Sequence, residues 1–494
     1  MLSLVLVLIL SLVGLYHYYL APPRQPHGVG AVPFWVTLLP LVMDVDQEQV
    51  FRRYIAPRLH EKGAVKVFFG GQWNVLVQRP SYVAEVLRQE HLYQKSGNQR
   101  KIPYSVLAEF LGSNIISARG EEWRQYRAVI GPGLTTSFEE EPMLERAGQL
   151  CAILLALQGS RNPGGVFVQE PLQRYSSANL LHFVLGQPQL ARKMMDRDPV
   201  SLHQVQLTLK RYLFQPLYMS FPVLDRLSFM IPSRRKARQL VREFAAMLQA
   251  SVLQGDGLDG SAGNRLVHAW REGLLTDRQF RDNLMVLYVA GQENPQLLMI
   301  SILYLLAKHP NIQARLRQEI RSSGMAGVPS PDWTRLPYLT ATILECLRLF
   351  PPISQLINRH VSQPTQLGGH LDLPAGTYVG YHSYATNRDP GAWGVTANDF
   401  EPLRWGTTHE QISRTYRHVK ARAAFISFHG GARACLGEKF AMLEMRTMLL
   451  VLLHRLQWKL APDWTDRMAP VGDFRRTTAS SRLASSVQSV RGAD

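Results

Sequence analysis

The sequence predicts a mainly α-helical protein with a small β component and a single-pass membrane anchor at its N-terminus. Residues 2–20 form an apolar run that is long enough to cross a hydrocarbon core as a helix. Most of the remaining chain places apolar residues at helical intervals. The β component is indicated at 64–69 and 73–78, where Val and aromatic residues flank the turn pair Gly70-Gly71.

The flanks of the apolar run favour an uncleaved anchor. No basic residue precedes the run, and the first one, Arg24, follows it. A cleaved signal usually carries positive charge before its apolar stretch and small residues at a cleavage site. The positive-inside rule therefore places the body in the cytosol, with Tyr16, Tyr18 and Tyr19 at the interface. A cleaved signal and a secreted body are the alternative.

We divide the chain into an anchor at 1–21, a proline-containing hinge and membrane-proximal segment at 22–60, and one body at 61–494. The prolines of the hinge are expected to end the anchor helix and to space the body from the bilayer. The apolar segment 32–43 is expected to lie in the interface or pack on the body. A mobile loop is predicted at 254–264. Longer helices are predicted near 121–131, 141–157, 202–215, 234–253, 280–308, 311–321, 338–349 and 437–456.

Composition narrows the partners. The chain has 55 Lys and Arg against 38 Asp and Glu, a formal net charge of +17. This charge favours an acidic partner or an anionic membrane face. The chain carries no dense basic run interleaved with aromatic residues, so we expect no nucleic acid as a partner. The three cysteines, Cys151, Cys346 and Cys435, are too few and scattered for a disulfide framework or zinc cluster, which fits a reducing compartment.

One glycine-rich segment, 428–437, directly precedes a strongly apolar helical run. A cysteine just before a helix N-terminus is favoured as a thiolate, because the helix dipole and nearby amides stabilise negative charge. Gly431 and Gly437 permit a tight turn and a close approach of backbone to a flat cofactor. Arg433 is placed to pair with an anionic group at the edge of such a cofactor. A buried structural cysteine in a turn is the alternative.

This segment resembles the Phe-x-x-Gly-x-Arg-x-Cys-x-Gly haem-binding loop of cytochromes P450, with Phe428, Gly431, Arg433, Cys435 and Gly437 at the matching positions. The resemblance implies the cytochrome P450 fold and haem b, with the thiolate of Cys435 as the axial ligand of the iron. No flavin-binding segment is evident, so electrons from NADPH would come through a separate cytochrome P450 reductase. The resemblance and the anchor together imply the endoplasmic reticulum membrane, with the catalytic body facing the cytosol.

Glu345 and Arg348, at positions i and i+3 of a predicted helix, resemble the Glu-x-x-Arg pair of this family. Alone, the pair would more often be a solvated surface ion pair. Arg404, in the sequence Pro-Leu-Arg-Trp at 402–405, resembles the arginine that completes a buried charge network in the family. The resemblance implies a structural role for all three residues.

Two further arginines are implied at the haem propionates, in addition to Arg433. Trp123 and Arg127 resemble the Trp-x-x-x-Arg helix of the family, although a surface amphipathic helix would give the same spacing. Arg359 matches, by its order in the chain, another arginine that often binds a propionate. Both assignments come from the resemblance.

Residues 290–295 resemble the oxygen-handling helix of the family, with one departure. The family pattern is Ala/Gly-Gly-x-Asp/Glu-Thr, in which a small residue leaves room for dioxygen and the acid and threonine organise proton delivery. Gly291 and Glu293 match, but Asn294 replaces the threonine and Pro295 is expected to kink the helix. An asparagine orders water but does not replace a hydroxyl group as a proton relay. We expect Glu293 and Asn294 to be the catalytic residues.

Longer runs at 61–77, 95–104, 290–298 and 428–444 resemble fungal P450s that form the dityrosine of spore walls. Such enzymes join two N-formyl-tyrosine units through a carbon–carbon bond, and close relatives couple tyrosine-derived isocyanides of the xanthocillin type. The resemblance implies a small aromatic substrate, with Tyr104, Ile353 and Ser354 as pocket residues. The alternatives are a monooxygenase acting on a lipid or secondary metabolite, and a haem-binding sensor or membrane tether without turnover.

The basic residues near the cysteine loop are candidates for docking of the reductase, because charge steers such encounters. A solvated basic surface without a specific partner is the alternative. The candidates are Arg414, Arg417, Lys420, Arg422 and Lys439.

Overall fold

The structure is a computed structural model that describes residues 14, 20–159, 165–196, 201–254 and 257–461, together with 464, 466, 468, 482–483 and 488–489 of the tail. The predicted anchor at 1–21 therefore lies almost wholly outside the described residues. Within the described ranges, no helix combines the length and the apolar character that a membrane crossing needs.

Thirteen helices of eight residues or more form the main helical part of the described body. Their bounds are α1 (Pro80–Arg88), α2 (Gly120–Thr135), α3 (Glu141–Gly159), α4 (Gln169–Asn179), α5 (Pro188–Met195), α6 (Ser201–Leu213), α7 (Pro232–Gln254), α8 (Ala262–Arg271), α9 (Asp277–Lys308), α10 (Pro310–Ser323), α11 (Pro337–Leu349), α12 (His409–Ala421) and α13 (Glu438–Arg455). Each predicted helix falls on one of these. Of the predicted loop at 254–264, residues 257–261 lie between α7 and α8, while 262–264 already belong to α8 and 255–256 lie outside the described residues.

The shorter helical segments connect these helices. They are Phe34–Leu38, Leu39–Val42, Gln47–Val50, Phe51–Ile55, Ala56–Lys62, Asn98–Lys101, Val106–Leu111, Leu180–Val184, Pro216–Ser220, Pro222–Leu227, Trp333–Arg335, Ser383–Thr386, Pro390–Trp393, Pro402–Trp405 and Gly431–Arg433.

The strands are short, and five of them form one sheet. Their bounds are β1 (Ala64–Phe69), β2 (Gln72–Val77), β3 (Tyr93–Lys95), β4 (Val166–Phe167), β5 (Leu356–Val361), β6 (Thr365–Leu367), β7 (Leu371–Leu373), β8 (Tyr378–Tyr381), β9 (Leu456–Gln457), β10 (Arg482–Leu483) and β11 (Gln488–Ser489). The main sheet has the order β1-β2-β8-β5-β3, and only the β2–β8 pair is parallel. The pairs β6–β7, β4–β10 and β9–β11 are small antiparallel sheets.

The predicted hairpin is present and its turn explains the glycine pair. Strands β1 and β2 pair so that Phe69 lies opposite Gln72, which leaves Gly70 and Gly71 as a two-residue loop. Both glycines have positive φ, 64° and 77°. Two consecutive positive φ angles characterise a turn that matches the twist of paired strands, and glycine adopts them without strain.

Parts of the segment at 22–60 pack on the body, and the spacing of the body from the bilayer stays a prediction. The Lys66 ammonium donates hydrogen bonds to the carbonyl oxygens of Pro23 at 2.8 Å and Arg24 at 3.1 Å. Val32 and Leu59 share a buried cluster with side chains of β1 and β2. Their burial removes apolar surface from water, so the segment is held to the sheet.

Helix α9 runs through the centre of the helical core. It packs against α4, α7, α8, α11 and α13, and Pro295 lies inside it without ending it. Its N-terminus is fixed by a capping box, in which Thr276 and Gln279 exchange hydrogen bonds. This arrangement brings the middle of α9 and the loop before α13 into one core.

Candidate active site

The cysteine loop folds back on itself before α13. The Cys435 backbone nitrogen donates a hydrogen bond to the Phe428 oxygen at 2.9 Å. Gly431 has a φ of 64°, and a side chain there would be strained and would approach the Leu87 carbonyl oxygen at 3.4 Å. Cys435 is exposed, whereas Cys151 and Cys346 are buried. The loop therefore presents one accessible thiol from a fixed backbone.

The surroundings of Cys435 act on its pKa in opposite directions. Desolvation by the surrounding protein raises the pKa of the thiol to about 11, while a hydrogen bond from the Gly437 backbone nitrogen lowers it. A positive metal ion would stabilise the thiolate and favour its ligation. Gly437 thus supplies the amide donor that the loop was expected to aim at the sulfur.

A cluster of buried cations lies near this loop. Arg359 is fully buried and donates from Nη1 to the Tyr93 carbonyl oxygen at 3.2 Å, but its Nε and Nη2 have no hydrogen-bond partner among the described residues. Lys95 is also buried, and the pKa of both groups is lowered, first by desolvation and then by neighbouring cations. Buried charges normally have partners. The two free guanidinium nitrogens therefore fit an anionic group such as a haem propionate.

The other predicted propionate residues gather at the same place. The Arg433 guanidinium lies over the Trp123 ring at 3.9 Å, donates to the Ala118 oxygen at 3.0 Å and pairs with Glu90. Arg127 lies 5.6 Å from the same ring and donates to the Ala432 oxygen at 3.4 Å. Sequence reasoning missed Lys95 and Glu90, although Lys95 begins a run that the resemblance had singled out.

The predicted charge network is present, and its Glu345–Arg348 pair is fully buried. Arg348 donates from Nε and Nη2 to the two oxygens of Glu345, both at 2.8 Å. Arg404 Nε donates to Glu345 Oε1 at 2.8 Å, and the Trp405 indole donates to Oε2 at 3.0 Å. Neither Glu345 nor Arg348 is exposed. One carboxylate therefore joins α11 to the segment Pro402–Trp405.

Gly291 has a packing role that the sequence did not predict. A Cβ at this position would lie 2.4 Å from Leu180 Cδ1, so the missing side chain allows α9 to approach the turn Leu180–Val184 closely. A hydrogen atom at this position is therefore required by the helix packing, and the predicted place of Gly291 beside the cofactor and dioxygen stays a prediction. Ala290, one position earlier, is half-buried.

Glu293 and Asn294 are half-buried in the middle of α9, and each already has a protein partner. Glu293 forms an ion pair of 2.8 Å with the buried ammonium of Lys210 on α6. Asn294 Nδ2 donates to the Ala290 carbonyl oxygen at 3.2 Å, one turn earlier. The Asn294 side chain therefore bonds to its own helix, while Glu293 connects α9 to α6.

The predicted pocket residues lie beside a small cavity instead of lining it. The Tyr104 ring is covered by the Arg226 guanidinium at 4.4 Å, and Ile353 and Ser354 are half-buried in the turn before β5. The cavity is lined by their neighbours, including Lys101, Ile102, Ser105, Leu213 and Ile357. The assignment of Tyr104, Ile353 and Ser354 to the substrate pocket stays a prediction.

Most of the basic residues predicted for reductase docking form no ion pair with another described residue. Lys420 is the exception, because its ammonium pairs with Glu438 at 2.5 Å. The remaining candidates are exposed: Arg414, Arg417, Arg422 and Lys439.

An accessible cysteine before α13, a cluster of buried cations and a buried carboxylate–arginine network together define a haem-thiolate protein. A sequence profile of the cytochrome P450 family matches residues 26–477. The chain belongs to the cytochrome P450 family and is a haem-thiolate oxidoreductase.

Two fungal proteins are similar over nearly the whole chain. Cytochrome P450-DIT2 of Saccharomyces cerevisiae is 38% identical over 484 residues, which cover 96% of this chain and 96% of the relative. Cytochrome P450 monooxygenase xanG of Aspergillus fumigatus is 35% identical over 476 residues, which cover 94% of this chain and 88% of the relative. The predicted resemblance to fungal P450s of this kind is confirmed.

Solved structures share the fold at low sequence identity. The haem domain of cytochrome P450DA superposes with a TM-score of 0.70 at 19% identity, covering 91% of this chain and 94% of that one. A zebra fish cytochrome P450 superposes with a TM-score of 0.63 at 20% identity, covering 84% and 92%. The predicted cytochrome P450 fold, mostly helical with a small sheet component, is confirmed.

Proposed function

We propose that this enzyme oxidises a small tyrosine-derived phenol and joins two such units through a carbon–carbon bond. Coupling of N-formyl-tyrosine to dityrosine is the first candidate, and coupling of tyrosine-derived isocyanides of the xanthocillin type is the second. Similarity to two fungal P450s over at least 94% of the chain supports a related substrate class. One observation favours coupling over oxygen insertion: the Asn294 side chain has no hydroxyl group and bonds to its own helix at Ala290.

Haem held by Cys435, with dioxygen and two electrons, would supply the oxidation that removes one hydrogen atom from each of two phenols. Two further protons are taken up, two water molecules leave, and the phenol radicals join without oxygen entering the product. Arg359, Lys95 and Arg433 would hold the anionic edge of the haem.

Asn294 provides no hydroxyl group at the position where the family has threonine, and its amide donates to its own helix at Ala290. Glu293 is neutralised by Lys210. A phenol brings its own hydroxyl group into the site, so the substrate can provide a group that this chain lacks. An aliphatic substrate cannot, which favours phenol oxidation.

The test is turnover of N-formyl-tyrosine by the haem-loaded protein with NADPH, a fungal cytochrome P450 reductase and ¹⁸O-labelled dioxygen. We expect a product with the mass of two substrates less two hydrogen atoms and without ¹⁸O. A monomeric product carrying one ¹⁸O atom would instead support the alternative, monooxygenation, which the name of the monooxygenase xanG favours. No NADPH consumption in response to substrate, with no product, would favour a haem-binding sensor or membrane tether without turnover.

Cys435→Ala is the matched control, because it removes the thiolate and keeps the rest of the loop. The reduced, carbon-monoxide-bound spectrum should show a red-shifted Soret band only for the native protein. Turnover by this variant at the native rate would contradict the assignment of Cys435 as axial ligand.

We propose that residues 1–21 anchor the protein in the endoplasmic reticulum membrane, with the body on the cytosolic side. Exposed apolar side chains support a second membrane contact: Val42 and Met43 are 79% and 57% exposed, and Phe229 and Met230 are 68% and 66% exposed. The helices Leu39–Val42 and Pro216–Ser220 contact each other, which brings these segments to one side of the body. Protease protection of the body in sealed microsomes would contradict this orientation.

We further propose that a separate reductase docks on the exposed basic residues around the cysteine loop. Family members of this kind generally need such a redox partner. The first electron transfer should slow as ionic strength rises, since exposed charges are screened. Arg414→Gln and Arg417→Gln should slow reduction at low salt more than Arg335→Gln, a change at an exposed arginine outside the proposed docking set.

A further inference from the structure

Lys101 lies at the tip of the β1–β2 hairpin and has no acidic partner among the described residues. Its ammonium donates to Asn74 Oδ1 at 2.6 Å and lies 5.0 Å from the Tyr378 ring and 5.9 Å from the Phe69 ring. Desolvation lowers the pKa of Lys101 to about 7, and no charged group among the described residues opposes that effect. A neutral amide and two aromatic rings are therefore its neighbours, which is unusual for an enclosed ammonium.

Asp225, the acidic residue among those that line the same cavity, already pairs with another residue. Asp225 accepts hydrogen bonds from Arg234 Nε at 2.7 Å and from the Val106 backbone nitrogen at 2.8 Å, and both charged side chains are buried. The Asp225–Arg234 pair is therefore internally neutral. Lys101 is therefore a cation that has no counter-ion among the residues lining this cavity.

The position of Lys101 suits a substrate contact. Its cavity is bordered by Leu213 at the end of α6, Ile357 of β5 and Phe69 of β1. Lys210, one turn before Leu213 on α6, forms the ion pair with Glu293. The cavity thus adjoins the helix that contacts the oxygen-handling segment.

We propose that the Lys101 ammonium binds the carboxylate of an aromatic carboxylic acid substrate. The inference deepens the proposed function and rests on it for the tyrosine-derived part of the substrate. A carboxylate would supply the missing counter-ion and accept a charge-assisted hydrogen bond, while Tyr378 and Phe69 border the same ammonium. Asn74 orients Lys101, because its own amide nitrogen is fixed by the carbonyl oxygens of Phe69 and Gln72.

This inference separates the two substrate candidates. N-formyl-tyrosine retains the carboxylate of tyrosine and would satisfy Lys101. An isocyanide that has lost this carboxylate would leave the ammonium unpaired. The site therefore favours N-formyl-tyrosine among the tyrosine-derived candidates.

The test is binding to the haem-loaded, full-length protein, measured by the shift of the haem absorption band during titration. The probes are N-formyl-tyrosine and its methyl ester, and 4-phenylbutyrate and its methyl ester. The native protein should bind each acid at least tenfold more tightly than its ester. Lys101→Met should abolish this preference, Lys101→Arg should retain most of it, and Lys62→Met, at an exposed lysine, should not change it.

A second measurement uses the native protein alone and is independent of how the variants fold. Below about pH 7 Lys101 is protonated, so acid binding should be strongest there and weaken by up to about tenfold per pH unit above its pKa. Tyr378 faces the ammonium from β8, and the paired Asp225 and Arg234 line the same cavity. Binding of the neutral esters should not follow this pH dependence.

The outcomes distinguish the two proposals. An acid preference that depends on Lys101 for 4-phenylbutyrate but is absent for N-formyl-tyrosine would support the carboxylate site and overturn the tyrosine assignment. An equal affinity for acids and esters in both pairs, at every pH, would overturn the carboxylate site and leave the coupling reaction to its own test.

Discussion

The side-chain oxygen of Asn387 accepts a hydrogen bond from the Ile426 backbone nitrogen at 3.0 Å. The Asn387 carbonyl oxygen accepts another from Arg348 Nη1, also at 3.0 Å. Asn387 Nδ2 donates to the Ser427 hydroxyl oxygen at 2.8 Å. One buried asparagine thus connects the Glu345 charge network to the two residues that precede the cysteine loop.

Asn387→Ala should destabilise the protein by about 2–4 kcal/mol, because it leaves the buried Ile426 nitrogen without an acceptor. Haem content should fall as well, since the cysteine loop loses its support. Urea unfolding and haem absorbance per mole of protein measure the two effects. The control is Asn398→Ala at an exposed position; equal losses in both variants would contradict the proposed link.

Glu345→Gln should cost about 3–5 kcal/mol, because the fully buried Arg348 then loses the carboxylate that balances its charge. Glu121→Gln removes the acid of an exposed pair with Arg124 at the same i, i+3 spacing. It should change the free energy of unfolding by less than about 1 kcal/mol. Urea unfolding of both variants makes the comparison, and similar effects would show that burial does not govern the Glu345 network.

Arg359→Met should act in opposite directions on the two forms of the protein. The form without haem should gain about 1–3 kcal/mol, because an unbalanced buried charge is replaced by an apolar side chain. Haem affinity should fall about tenfold or more, because a propionate loses its partner. Urea unfolding and haem transfer to apomyoglobin measure these effects, with exposed Arg335→Met as control. Unchanged haem affinity would remove Arg359 from the cofactor site.

Asn294→Thr should shift the reaction towards oxygen insertion, because it restores the hydroxyl group of the family pattern. The variant loses the hydrogen bond to Ala290 but keeps the Glu293–Lys210 ion pair. The ratio of ¹⁸O-labelled monomer to unlabelled dimer measures the change, with Asn294→Gln as a control that keeps the amide. A product ratio equal to that of the native protein would mean that this position does not select the reaction.

Glu444 should make stability fall with rising pH. It is fully buried, accepts from Asn179 Nδ2 at 3.1 Å, and burial raises its pKa from 4.5 to about 8. Between these values the folded carboxyl keeps its proton while the unfolded one has lost it. The stability due to this group is therefore present at low pH and lost as pH rises towards 8.

Glu444→Gln stays neutral and should lack this loss. The variant should become more stable relative to native protein between pH 5 and pH 8, and the difference should level off above pH 8. Urea unfolding at several pH values measures it, with exposed Glu61→Gln as control. A constant difference across this range would contradict the raised pKa.

The sequence predicted the parts of the fold that depend on local patterns. Helix periodicity identified α9 and α13, and the glycine pair identified the β1–β2 turn. The fixed spacing of Glu345 and Arg348 identified the charge network, because two residues on one helix face keep that relation in any context. The cysteine loop was equally local, since its residues are consecutive.

Relations across distant segments could not be predicted in this way. Lys95 and Lys101 are enclosed by residues of β5, β8 and the hairpin tip, which are distant from them in the chain. The spacing of residues in the sequence does not indicate that a lysine will be enclosed in this way. The packing of Gly291 on Leu180 depends on how two helices cross. The attachment of Pro23 to Lys66 likewise required the position of the sheet.

The Asp225–Arg234 ion pair also accepts a hydrogen bond from the Val106 backbone nitrogen and donates one to the Tyr212 carbonyl oxygen. It therefore links residues 212–234 to the helix that begins at Val106. None of these hydrogen bonds involves the network of Glu345 and Asn387. For protein engineering, the region from 212 to 234 is therefore a natural cassette. Replacing this region as one unit, with Asp225 and Arg234 kept, should change which substrates the enzyme binds without weakening its binding of the prosthetic group.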